Sequence, residues 1–204
     1  MKRAVLYTGT FDPFHLGHVW QLEKAHQVLP FERVVVAVNA DNPQKPNALP
    51  ITDRMNLAHL MLRDRQFPFK VVIEALQYNN AEDFKSFVAL HLKGFTVVRT
   101  VGSDRFHEFV HTQHGREYLA MFEHIVTMHP TLDLATLQAA IDALPADVHQ
   151  KIAYKIVGSG SGPGISATEV RKDITRALER GHISAEQFEY CQKHQLYGLG
   201  SEQD

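Results

Sequence analysis

The decapeptide from Gly9 to His18, GTFDPFHLGH, holds the residue types best suited to chemistry. A glycine turn is followed by two histidines, His15 and His18, at the start of an apolar-periodic stretch. Backbone N–H groups at a helix start point outward without partners, at the positive end of the helix dipole, and so attract anions. Histidines at i, i+3 share one helix face. Phosphate is the ligand this arrangement suits. Taken alone, such a pair is more often two polar surface residues beside two turn glycines, Gly9 and Gly17, and both readings stand at this point.

A second cluster lies far along the chain in Ile165 to Arg171, ISATEVR. Ser166 followed by Glu169 matches a capping box, in which side chains satisfy free backbone donors. Such a cap is worth about 1 kcal/mol, and its hydroxyl has room for a second job. With Thr168 and the fixed donor fork of Arg171, the same helix start could hold phosphate oxygens. Gly102 and Asp104 follow an apolar run and read either as a helix cap or as a ligand contact at a sheet edge. Asp12 reads as an Asx turn residue or as a metal ligand. Lys45 in a loop and Arg54 in a helix's first turn are candidate phosphate cations, weighed against ordinary solvated charges. His107, His111 and His114 fall at helical spacings, but three histidines without carboxylate or cysteine partners are a weak zinc signal. No protein side chain is therefore assigned to a metal.

These residues need elements to position them. Short β-branched runs at Ala4 to Thr8, Arg33 to Val38, Lys70 to Ala75, Thr96 to Gly102, Ile125 to Met128 and Ala153 to Val157 alternate with amphipathic stretches. That alternation predicts an α/β fold with a parallel sheet and helices on both faces. Helices are expected at Gly17 to Leu29, Asp53 to Leu62, Ala81 to Leu92, Glu117 to Phe122 and Leu134 to Leu144, with two more beginning after Ser166 and Ser184. Phe84, Phe87, Val88 and Leu92 read as a core stripe. The Gly158 to Gly164 loop, GSGSGPG, reads as a lid or hinge, and Asn39 to Pro50, with three prolines, as a loop outside sheet and helix.

A chain of 204 residues with 44% hydrophobic and 22% charged content can bury one substantial core, so residues 1–204 are read as one domain, with 165–197 as its C-terminal helical part. The formal charge of −2 argues against sequence-independent nucleic-acid binding, which needs many phosphate-neutralising cations. One cysteine, Cys191, excludes an internal disulfide framework and fits a reducing compartment. The apolar run before Gly9 is too short for a signal peptide or membrane span. The expectation is a cytoplasmic protein with no membrane partner, and the oligomeric state is left open.

GTFDPFHLGH resembles the Gly-Thr-Phe-Asp-Pro and His-x-Gly-His signature of the nucleotidylyltransferase superfamily, and ISATEVR resembles its second signature, Ile-Ser-x-Thr-x-x-Arg. Val101 to Phe109 (VGSDRFHEF) looks like the Gly-x-Asp segment of the same proteins, and Ile183 to Tyr197 is also similar to their tail. The resemblance implies a Rossmann-like fold. It further implies that ATP is bound by Gly9, Thr10, Phe11, His15, Gly17, His18, Gly102, Asp104, Ile165, Ser166, Thr168 and Arg171, and enters with Mg²⁺. His18 and His15 would then be the catalytic pair, acting on the phosphates.

Within the superfamily, length and Arg171 point toward adenylyltransferases that join ATP to nicotinate or nicotinamide mononucleotide, in the making of NAD. Pantetheine-phosphate adenylyltransferases, glycerol-phosphate-type cytidylyltransferases and a non-catalytic nucleotide-binding protein are the alternatives. The acceptor region departs from the nicotinate mononucleotide pattern. A Pro-Pro-His-Lys loop reads Asn42-Pro43-Gln44-Lys45 here, a Ser/Thr-Tyr-Thr segment reads Tyr78-Asn79-Asn80-Ala81, and the expected tryptophan is absent, Trp20 lying elsewhere. Lys45 and Arg54 are the resulting candidates for the acceptor's phosphate, and Phe106, Phe109 or His107 for stacking on its pyridine ring.

Overall fold

The computed structural model describes residues 2–41, 43, 45–77, 81–127, 133–150, 152–157 and 165–199. Six parallel strands form one sheet in the order β3-β2-β1-β4-β5-β6: β1 (Arg3–Gly9), β2 (Arg33–Asn39), β3 (Lys70–Leu76), β4 (Thr96–Gly102), β5 (Glu123–Thr127) and β6 (Ala153–Val157). The fold is Rossmann-like α/β. Every expected strand is present within a residue or two, because β-branched runs flanked by turn residues favour extended backbone. Met128, the expected end of β5, lies outside the described residues, as do 78–80 and the 158–164 loop.

Side-chain alternation divides the core between the two faces. On one, Val5, Tyr7, Val34, Val36 and Val38 pack with Val19, Leu22 and Ala25 of α1 (Leu16–Val28) and Ala58 and Met61 of α2 (Ile51–Leu62). On the other, Ala4, Leu6, Val35 and Ala37 pack with Phe87 of α3 (Ala81–His91) and with Leu92. Phe84 and Val88 pack against this second cluster, so the expected core stripe is a core stripe.

Beyond β4 the helices differ from expectation. Residues 103–111, outside the expected helices although Asp104 reads as a candidate helix cap, form α4 (Ser103–His111), which buries Phe106 and Val110. The helix expected at Glu117 to Phe122 is α5 (Gln113–Leu119), displaced because the Thr112 hydroxyl accepts from the Gly115 N–H at 3.0 Å and starts it early. His114 is therefore helical. Next come α6 (Leu134–Asp142) and the short α7 (Ala146–His149). The helix after Ser166 divides into α8 (Ala167–Lys172) and α9 (Ile174–Glu179) because the Asp173 carboxylate caps the second at 2.9 Å. Ser184 and Gln187 form the expected reciprocal capping box of α10 (Ala185–Lys193), which is followed by a 3-10 turn at Leu196–Gly198. No helix among the described residues is long and apolar enough to cross a membrane. Cys191 is buried.

The chain winds outward from β1 through β2 to β3, then returns to β4 beside β1 and winds the other way. The C-terminal ends of β1 and β4 thus flank the switch point, where sheets of this kind open a crevice for ligands. Gly9 ends one strand and Gly102 the other.

Candidate active site

His15 caps α1. Its Nδ1 accepts from the Gly17 N–H at 3.1 Å, while its own backbone N–H donates to Nδ1 of His18 at 3.1 Å. Two histidines thus make the reciprocal box that Ser and Glu usually make. Their rings stack with centroids 3.8 Å apart. Because both Nδ1 atoms accept from amides, each neutral ring carries its proton on Nε2. Burial, and then the neighbouring His182, lower His15 to about 4. His18, packed among Tyr7, Phe11 and Phe14, is held well below the ordinary histidine range by desolvation, then by His15 and Lys45. At neutral pH the pair is two uncharged Nε2–H donors with fixed tautomers, suited to the oxygens of a phosphate.

Gly9 makes room for this arrangement. Phe11 is buried with a positive φ of 49°, and a Cβ on Gly9 would stand 2.7 Å from its ring. Phe11 in turn lies edge-on to His18 at 5.1 Å. Gly9→Ala is expected to displace the Phe11 ring and with it His18, lowering kcat by about 10–100-fold, since misplacing a reacting group by about 1 Å carries penalties of that order. Steady-state kinetics together with a near-UV circular dichroism spectrum would check this, and unchanged kcat would remove Phe11 from the description.

The second motif meets the first across the chain. A Cβ on Gly17 would lie 2.9 Å from the His15 ring and 3.4 Å from Ile165, so the glycine lets α1 approach Ile165 closely. Ser166 is the expected N-cap, its hydroxyl accepting from Glu169 N–H at 3.1 Å. Arg171 donates from Nη1 to the Asp12 carbonyl at 2.5 Å and from Nη2 to the Thr168 hydroxyl at 3.2 Å, with the Asp12 carboxylate 3.8 Å from Nη1. Asp12 is 4% exposed and also accepts from the Tyr197 hydroxyl at 2.7 Å. Its Oδ1 is engaged by the tyrosine hydroxyl, while Oδ2 lies beyond a direct hydrogen bond to the arginine. Among the described residues no group of three His, Cys, Asp or Glu could hold a metal ion.

Other candidates divide. Lys45 is exposed, and its ammonium is close enough to act on His18. Gly102 caps α4, with the Asp104 carboxylate folded back so that a Cβ on Gly102 would sit 2.5 Å from Oδ1; Asp104 itself is exposed. Thr10 is buried, its carbonyl accepting from Arg54 at 2.7 Å.

Two expectations are corrected. Arg54 is 2% exposed, and its guanidinium donates to the carbonyls of Leu49, Thr10, Asn39 and Ala40. It ties β1 and β2 to the loop before α2, with four of its five N–H donors on backbone carbonyls and its side chain buried away from a ligand phosphate. Phe106 has no exposed surface and fills the core with Val110, Leu119 and Ile141, so it cannot stack on a ligand ring. Of the other stacking candidates, Phe109 packs on Tyr118 and His107 faces His111, with Nε2 atoms 3.2 Å apart.

Residues that sequence reasoning missed hold the site in place. Gln187, fully buried, donates to the carbonyls of Phe14 and Leu57 at 2.8 Å each while its Oε1 accepts from Ser184 N–H. The helix start after Ser184 was legible in the sequence, but not this cross-link. The His182 carbonyl accepts from Leu16 N–H at 2.8 Å. Arg99 on β4 donates to the Thr8 hydroxyl at 2.9 Å and lies over the rings of Phe84 and Tyr118.

The buried histidines carry a pH signature. His15 and His124 are both lowered by burial to about 4, so the unfolded chain takes up their protons first on acidification. Their contribution to stability is present above the ordinary value near 6.5 and is lost as pH falls toward 4. Between pH 6.5 and 5 the unfolding free energy is expected to fall by roughly 2 kcal/mol per histidine, and His124→Leu to flatten that slope. Urea unfolding at both pH values measures it.

Known proteins share this chain's sequence and fold to different extents. A phosphopantetheine adenylyltransferase of Nitratidesulfovibrio vulgaris is 34% identical over 64 residues, 31% of this chain, so the chain spans about a third of that relative's length in the match (33%). A probable nicotinate-nucleotide adenylyltransferase of Listeria innocua is 26% identical over 202 residues, covering 97% of this chain and 99% of the relative. The fold matches that of Plasmodium falciparum nicotinic acid mononucleotide adenylyltransferase complexed with NaAD, at a TM-score of 0.74, 18% identity and 98% coverage of both chains. The cytidylyltransferase-like family model matches residues 6–173, from inside β1 to the Asp173 cap. With both histidines, Arg171 and the switch point inside that span, the chain belongs to the cytidylyltransferase-like family.

Proposed function

We propose that this protein transfers the adenylyl part of ATP to nicotinate or nicotinamide mononucleotide with release of pyrophosphate. The observation that carries the reading is the bond from Arg171 to Asp12 across 159 residues, which ties the second motif to the loop that leads into His15 and His18. The full-length likeness to the Listeria protein supports the pyridine acceptor.

An oxygen of the acceptor's phosphate attacks the α-phosphorus of ATP, and the bond from that phosphorus to the bridging oxygen of the β-phosphate breaks. Pyrophosphate leaves and no covalent enzyme intermediate forms. Such a transfer depends on positioning and charge stabilisation. Neutral Nε2–H donors of His18 and His15 face the α-phosphate oxygens. Arg171, Ser166 and Thr168 hold the β- and γ-phosphates, and Lys45 meets the acceptor's phosphate. Gly102 and Asp104 receive the adenosine. Mg²⁺ enters with ATP as part of the substrate, on phosphate oxygens.

The test is pyrophosphate release from ATP and Mg²⁺ with nicotinate mononucleotide, nicotinamide mononucleotide or phosphopantetheine, with His18→Ala as control. Release with one pyridine mononucleotide that collapses in the variant is the expected result and names the acceptor. Release with phosphopantetheine alone would favour the second reading, which the partial likeness to the Nitratidesulfovibrio protein motivates. ATP binding without release from any acceptor would point to a nucleotide-binding protein.

A further inference from the structure

The C-terminal turn reaches the site through one hydroxyl. Tyr197 donates to Oδ1 of Asp12 at 2.7 Å, across 185 residues of chain. Its ring packs against the cluster of Val170, Ile174, Ala177 and Ile183, beside Arg171 in sequence. Both Gln195 (φ 54°) and Tyr197 (φ 52°) are in the left-handed region, which residues with a Cβ seldom adopt. Such backbone persists only where surrounding contacts impose it. A phenylalanine would satisfy the packing; among the described residues the hydroxyl bonds to Asp12.

Asp12 has two claims on Arg171. Its carbonyl takes the Nη1 donor at 2.5 Å, while Oδ2 waits at 3.8 Å, outside a direct hydrogen bond. A buried carboxylate this close to a half-buried guanidinium favours a bidentate pair. The tyrosine hydroxyl, by holding Oδ1, keeps the carboxylate from turning onto the arginine. We infer that Tyr197 is a positioning residue, whose hydroxyl restrains Asp12 and so leaves the Arg171 N–H donors that Asp12 and Thr168 do not take open to the phosphates of the nucleotide. The inference rests on the adenylyl-transfer reading of the site.

Four forms of the full chain test it: wild type, Tyr197→Phe, Arg171→Ala and the double variant. Tyr197→Phe is expected to lower kcat/KM for ATP about tenfold, the weight of one hydrogen bond to a charged group. In the Arg171→Ala background the same change is expected to do almost nothing, because the residue it acts through is gone. Independent multiplication of the two losses, or an unaffected Tyr197→Phe, overturns the inference. Asp12→Asn provides a second arm, keeping an acceptor for the hydroxyl but removing the charge that competes for Arg171. There Tyr197→Phe is expected to lose less than about threefold, and a tenfold loss overturns the inference. If the wild type turns over none of the acceptors, the proposed reaction fails by itself. The same cycle is then read on the Kd for ATP, with the same two outcomes.

Discussion

His18→Ala is expected to lower kcat by about 10²–10³ while leaving the KM for ATP within a few-fold, because a preorganised donor aimed at charge that develops in the transition state acts mainly there. The geometry specifies which histidine form is at work. Nδ1 of His18 accepts from His15 N–H, so the ring offers Nε2–H, and burial beside His15 and Lys45 keeps it uncharged near neutrality. A neutral donor predicts a particular pH dependence. The contribution of His18 should persist from neutral to alkaline pH and fail only on acidification, when protonation removes the Nδ1 lone pair that the His15 amide uses. A histidine acting as a cation would do the opposite, its effect fading as pH rises through 6 to 7. Pre-steady-state rates of wild type and variant across pH 5–9 separate these cases, and a ratio that shrinks toward alkaline pH would sink the neutral-donor description.

Arg54→Ala is the second large effect, and it concerns folding. Its guanidinium satisfies four backbone carbonyls from three segments, at 2.7–2.9 Å, from a position 2% exposed. Truncation leaves those acceptors buried and unpaired, a loss of about 3–5 kcal/mol. For a chain of this size that is a fall in Tm on the order of 10 °C. Arg54→Lys is expected to recover little, since one ammonium cannot reproduce a planar fork that spans four carbonyls. Had Arg54 been a phosphate ligand, its removal would instead raise KM and leave Tm alone. Thermal unfolding of both variants decides between these, with a Tm within about 2 °C of wild type counting against the framework role.

What the sequence determined by itself is what short-range physics encodes. β-branched runs specified the six strands, and capping residues specified where helices begin: Ser166 and Ser184 both cap, though only Ser184 closes the reciprocal box. The GTFDPFHLGH string placed its histidines on a helix start because a glycine turn after a strand leaves little else for the chain to do there. Where local signals competed, sequence reasoning faltered, as when Thr112 started α5 four residues before the apolar pattern suggested. Tertiary structure alone decided what each polar group does. Arg54 and Lys45 look alike as cations near a loop, yet one is buried on carbonyls and the other is exposed. Phe106 looked available for stacking until α4 turned it into the core. Arg171, Gln187 and Tyr197 find their partners 159, 173 and 185 residues away. No periodicity or spacing reports such contacts, because they exist only once the strands have closed the sheet and brought the two ends of the chain to the same edge.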